Sequence, residues 1–137
     1  MEIHLKEGID AFQFGMTPDE IVEQFGEPDI KTVDAEDENE IIWVYNNYRI
    51  RLSFFQDENE TLLGYIRCSN PNLKINGTKV FDEEIDTVLK NSLKAVKKWE
   101  TDEYDLFVTY FNSDNWLTLN VEYNRINGVE MGVPLDD

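Results

Sequence analysis

The sequence predicts an α+β domain in which an antiparallel sheet carries helices on one face, built from two tandem helix-then-three-strand units. Three observations carry that expectation: a fully capped helix start at residues 17–20, an alternating strand at 48–55, and the return of the same element order after residue 72. A chain of 137 residues, 41% hydrophobic and 12% aromatic, is long enough to bury one core without disulfides or metals. The expected organisation is therefore a single domain, 1–137, made of two repeats at about 9–70 and 73–133.

Thr17 suits a helix N-cap, Pro18 the first helical position, and Glu20 the far side of a capping box. Ile21, Val22 and Phe25 then share one face, and Gly26 followed by Pro28 stops the helix after about two turns. Residues 34–40 are almost wholly acidic and read as a solvated loop. Ile41 to Tyr45 is β-rich, Asn46-Asn47 is a turn, and Tyr48 to Phe55 alternates. Ile50, Leu52 and Phe54 fall on one side of that strand, with Arg49, Arg51, Ser53 and Phe55 on the other. A third strand runs from about Thr61 to Ser69.

Leu73 to Phe81, turning at Asn76-Gly77, reads as a short hairpin. Asp82 then caps a long helix over 83–98, with Ile85, Val88, Leu89, Leu93 and Val96 at helical spacing and lysines crowding its last turns. Tyr104 to Phe111, Trp116 to Tyr123 and Ile126 to Val133 supply three more strands, with Leu117, Leu119, Val121 and Tyr123 directed inward. Two unrelated halves of one α+β domain would produce the same order.

Twelve Lys and Arg against 29 Asp and Glu leave a formal net charge of −17. A field of that sign repels nucleic acid and anionic membrane, and it steers in a cationic protein. Excess carboxylate also serves solubility alone. Residues 1–72 hold the larger share, a net of −11 against −6 for the remainder. No apolar run approaches a membrane span, Met1 to Asp10 lacks the cationic and apolar regions of a leader, and Cys68 is alone. These features predict a cytoplasmic protein with no membrane partner.

Gly15-Met16-Thr17, the helix end Phe25-Gly26-Glu27-Pro28, Trp43-Val44-Tyr45 and the alternating Ile50, Leu52 and Phe54 resemble the repeat of the beta-lactamase inhibitor proteins and the small BamE-type outer-membrane lipoproteins. The resemblance covers about forty residues of the first half; in the second, only element order carries over. It implies a tandem scaffold whose open sheet face grips another protein, and it implies no enzyme. Small cytosolic immunity proteins that neutralise bacterial toxins are similar in build and charge.

Catalytic groups are sparse. His4 is the single histidine, Cys68 has no base within a known spacing, and no calcium loop, phosphate-cradling loop, nucleophile elbow or dinucleotide fingerprint occurs. The expectation is no enzyme, no metal and no cofactor. The leading function is an inhibitor or immunity protein for a basic, nuclease-like toxin. The alternatives are an envelope-assembly or scaffolding module, and a small enzyme or ligand carrier with converging polar groups in a deep pocket. Aromatic anchors within an acidic rim define the candidate partner-binding residues: Asp34, Glu36, Asp37, Glu38, Glu40, Trp43, Tyr45, Phe55, Asp102, Glu103, Asp105 and Trp116.

Overall fold

In the computed structural model, which describes residues 1–33, 36, 40–57 and 59–133, Thr17 opens the first helix through both halves of a capping box. The Glu20 N–H donates to Thr17 Oγ1 at 3.2 Å, and the Thr17 N–H donates to the Glu20 carboxylate at 3.1 Å. This helix, α1, spans Pro18–Phe25, and the Gly26 N–H closes it by donating to the Val22 carbonyl at 2.8 Å.

Strands dominate the rest, which corrects the α+β expectation: the described residues form thirteen strands, most of the structured chain, and two short helices. The smaller sheet contains β1 (Glu2–His4), β2 (Gly8–Ile9), β3 (Phe12–Gln13), β8 (Lys74–Ile75) and β9 (Thr78–Lys79), in the order β3-β2-β1-β8-β9. Its β8–β9 turn is Asn76-Gly77, with both residues at positive φ (52° and 76°) as a two-residue hairpin demands.

The larger sheet holds eight strands: β4 (Ile30–Val33), β5 (Glu40–Tyr45), β6 (Ile50–Asp57), β7 (Glu60–Cys68), β10 (Trp99–Glu103), β11 (Val108–Asn112), β12 (Leu117–Glu122) and β13 (Arg125–Gly132). Their order is β10-β11-β12-β13-β7-β6-β5-β4, and every neighbouring pair is antiparallel. Two four-stranded meanders thus meet at their last strands, β7 and β13. The three strands expected after each helix are four, because β4 and β10 are edge strands whose charged or exposed residues read as loop. An edge strand pairs on one side only and tolerates side chains that a central strand cannot.

The long second helix is also corrected. The helix α2 covers only Ile85–Lys90, and its N-cap Glu84 makes no side-chain bond. Asp82 sits at φ 63°, outside any capping geometry. Beyond Lys90 the Leu93 N–H reaches back to Val88 and the chain turns, although Leu93 is still buried. Tertiary burial of Leu93 wins over helical continuity, and lysines at 90, 94, 97 and 98 lend that continuity little, since like charges four apart repel.

One face of the large sheet makes the core. Rows such as Trp43, Leu52, Ile66, Met131 and Leu117 run straight across the register. They join Ile3, Ile9 and Phe12 of the small sheet, Ile21 of α1 and Val88 of α2 in a single buried cluster. Each such side chain contributes roughly 1.5–3 kcal/mol. The opposite face carries Arg51, Phe55 and Arg67 in solvent, and it buries Ile42, Ser53 and Asn120.

Candidate protein-binding end of the sheet

Tyr104, Asp105, Leu106 and Phe107 connect β10 to β11. The Tyr104 N–H donates to the Phe107 carbonyl at 2.8 Å, closing the turn, and the two rings stack with centroids 4.6 Å apart at 16°. Leu106 stands at the tip, 72% exposed. Because Val108 pairs with Val121, the β12–β13 turn lies alongside. There Tyr123 (φ 52°) and Asn124 (φ 66°) both adopt the left-handed conformation, and Tyr123 is 85% exposed. Asparagine is ordinary at such a site; a bulky tyrosine is not, and its backbone strain is of the kind that collects at functional positions. Tyr104, Phe107, Tyr110 and Tyr123 line a shallow cavity of about 310 Å³ between the turns. Asp105 lines it with them, and Asp102 and Glu103 are exposed at the adjoining end of β10.

The turn is tied to the chain beneath it. The residues leading into α2 pin the β12–β13 turn through four contacts: Arg125 Nη1 to the Asp82 carbonyl at 2.7 Å, the Asp82 N–H to Ile126 at 2.6 Å, the Ile126 N–H to Glu83 at 3.0 Å and the Ile85 N–H to Asn124 at 2.9 Å. An aromatic surface held in one conformation loses little entropy when a partner covers it.

The remaining sequence candidates are scattered. Trp43, 6% exposed, lies in the core against Phe54 with Lys31 Nζ 4.9 Å from its ring centre, so it offers no free anchor. Tyr45 is likewise buried, its hydroxyl donating to the Gly26 carbonyl at 2.8 Å, and burial together with Glu27 pushes its pKa to about 12. Phe55 and Trp116 do lie on the open face, each 40% exposed. Each covers a glycine: a Cβ on Gly64 would come within 2.7 Å of the Phe55 ring, and one on Gly132 within 2.6 Å of Trp116. Glu40 is half-buried opposite Phe55, and Glu36 is exposed. Asp34, Asp37 and Glu38 fall outside the described residues. Of the nine described candidates, only Asp102, Glu103 and Asp105 lie at or next to the aromatic end.

Sequence reading missed Tyr104, Leu106, Phe107 and Tyr123 as surface groups. The sequence places Tyr104 and Phe107 in one strand and Tyr123 on the inward face of the next, whereas β11 begins at Val108, β12 ends at Glu122 and Tyr123 occupies the turn. The legible signal was Tyr123-Asn124 itself, a turn pair between two alternating runs.

Among the described residues, no three His, Cys, Asp or Glu side chains converge as metal ligands, and no helix is long and apolar enough to cross a membrane. His4 is exposed on β1. Cys68 is fully buried, and burial raises its thiol above the ordinary 9.0. Burial, then the hydrogen bond donated to Glu130, raises the Tyr65 hydroxyl above 10.0. Both groups stay neutral in the fold and ionise more easily once it opens. Their stabilisation is therefore complete below the unfolded pKa values and is lost progressively as pH rises from these toward the raised folded values. The urea midpoint should be flat from about pH 7 to 8 and fall between about pH 9 and 11, with Tyr65→Phe flattening part of that slope.

The described residues form a two-sheet, mostly β fold with an exposed aromatic and acidic end. No family model and no curated protein matches the chain. Three solved structures share its fold. One is an extracellular protein containing a SCP domain from Bacillus anthracis, with TM-score 0.57 and 15% identity over 95% of this chain. A DUF4309 family protein from Bacillus subtilis gives 0.55 and 14% over 93% of this chain and 87% of its own. A cysteine-rich secretory protein from Staphylococcus aureus gives 0.51 and 9% over 86% of this chain and 44% of its own. This chain spans 49% of the Bacillus anthracis protein. These likenesses correct the resemblance to beta-lactamase inhibitor proteins and BamE-type lipoproteins. The Gly-Met-Thr start and Gly-x-Pro stop encode how a helix is capped, and any topology can use them.

Proposed function

We propose that this protein is a non-catalytic binding module whose 104–107 and 123 end grips a cationic protein, as an inhibitor or neutralising partner would. One observation carries the reading: Tyr104, Leu106, Phe107 and Tyr123 are all exposed large hydrophobics on two adjacent turns. Aromatic anchors inside a charged rim are the usual anatomy of a protein interface. The adjoining Asp102, Glu103 and Asp105, within a chain of net charge −17, favour a basic partner and fast, salt-sensitive association.

The test is capture from host extract at low and high salt, using wild type and a Leu106→Asp/Tyr123→Ser variant. Neither side chain is buried, so the variant should fold. The expected result is a basic protein held by wild type, released as salt rises, and at least ten-fold weaker on the variant. Equal capture by the variant overturns the assignment. If the captured protein has an activity, adding this chain should suppress it stoichiometrically.

A further inference from the structure

The sequence has four arginines, and three of them converge on one cavity of the open sheet face. Alternation along β6 turns Arg51 outward, and Arg67 of β7 stands directly opposite it in the register. Arg49 ends the preceding turn at φ 52°, fixed there because its carbonyl accepts the Ser69 N–H at 3.1 Å. With Asn46, Ser69 and Val44 these side chains line about 510 Å³, a size usual for small-molecule sites.

Two features separate this cluster from ordinary surface charge. Like charges directly opposite one another on neighbouring strands are destabilising, yet Arg51 and Arg67 are so placed. Among the described residues neither guanidinium is in direct ion-pair contact with a carboxylate: the ion pair found there is Lys31 with Glu27. Glu130 does lie across from Arg67 on β13, but it accepts from neutral donors on both oxygens, the Tyr65 hydroxyl on one and Asn120 Nδ2 on the other. Asp29, beside the rim, is likewise taken by the Asn46 N–H at 2.7 Å. Within a protein of net charge −17, three of the four arginines are gathered at one concave place, and among the described residues none of the three is in direct ion-pair contact with a carboxylate.

We propose that this cavity is a binding site for a small, multiply charged oxyanion, a phosphate ester or a polycarboxylate, held between the guanidinium groups of Arg51 and Arg67 with Arg49 at the rim. Guanidinium forks match the planar edges of carboxylate and phosphate, and a bound dianion cancels the cross-strand repulsion. The site is separate from the aromatic end and does not depend on the reading given to it.

The probes are pyrophosphate and citrate, each compared with sodium chloride at equal ionic strength, by thermal melting and titration calorimetry. At least one should raise the wild-type Tm saturably, pyrophosphate for the phosphate class and citrate for the carboxylate class. Arg51→Gln and Arg67→Gln should each weaken that binding about ten-fold or more. Both positions are exposed. Arg51→Gln without anion should melt no lower than wild type, because the repulsive pair is gone. Equal wild-type Tm in both oxyanions and chloride overturns the proposal, as does an undiminished shift in the two variants.

Discussion

Replacing Gly8 by Ala is expected to remove about 4 kcal/mol of folding stability, close to the whole margin of a small domain. Gly8 sits at φ 145°, and a Cβ there would lie 2.0 Å from the carbonyl oxygen of Phe12. The obstacle is backbone, so no rotamer change relieves it. Gly8 pairs with Gln13 and with His4, and the adjacent Ile9 pairs with Phe12, so moving the chain aside opens the centre of the small sheet. Ile9 and Phe12 are both fully buried, and they would lose their seats together. Gly77→Ala is the control. Its φ of 76° is also left-handed, but nothing lies within 4 Å of the added carbon, so it should cost only about 1 kcal/mol. Urea midpoints with unchanged slopes would measure both. A Gly8→Ala midpoint equivalent to less than about 1 kcal/mol would contradict the packing of the small sheet.

The sequence was legible where a local rule and the tertiary demand agreed. Thr17, Pro18, Glu20 and Gly26 specify a helix on their own, and the fold has no reason to override them. The alternation of Ile50, Leu52 and Phe54 against Arg51 and Phe55 is a register statement, and the burial pattern follows it. Legibility failed at the margins of the sheet. Ile30 to Val33 and Trp99 to Glu103 form strands although all but Trp99 are exposed, because an edge takes its pairing from a neighbour and asks little of its side chains. The stripe Ile85, Val88, Leu89, Leu93 misled for another reason. Its residues do face the core, but Leu93 arrives there through a turn.

The same logic explains the candidate site. Its acids, Asp102, Glu103 and Asp105, are visible as charge, whereas Tyr104 and Phe107 read as strand residues and Tyr123 as inward-facing, because composition cannot separate an aromatic in a strand from one in a turn. Trp43 and Tyr45 fail in the opposite direction: their spacing of two marks a shared face, and which face is shared depends on the partner strand. Only the pairing of Trp43 with Leu52 and of Tyr45 with Ile50 decides it.

That two-faced character sets up the other large effect. Phe54→Ala should cost about 3–5 kcal/mol and Phe55→Ala about 1 kcal/mol or less, although the residues are adjacent in one strand. Phe54 is fully buried, with its ring 4.9 Å from that of Trp43, and it pairs with Leu63, itself in the core. Truncation there leaves a cavity that a sheet pinned on both sides cannot collapse. Phe55 points the other way, lies over Gly64 and is 40% exposed, so truncation exposes a glycine and some apolar edge without opening the core. A β-bulge between Ser53 and Phe54 makes this contrast informative. The register slips by one residue on β7 at that place, and a slip by one on β6 would exchange the two phenylalanines. Urea unfolding of the two variants therefore reads the register directly. Similar costs at both positions would mean that the open face is covered in solution, and a larger cost at Phe55 would mean that the sheet is turned over.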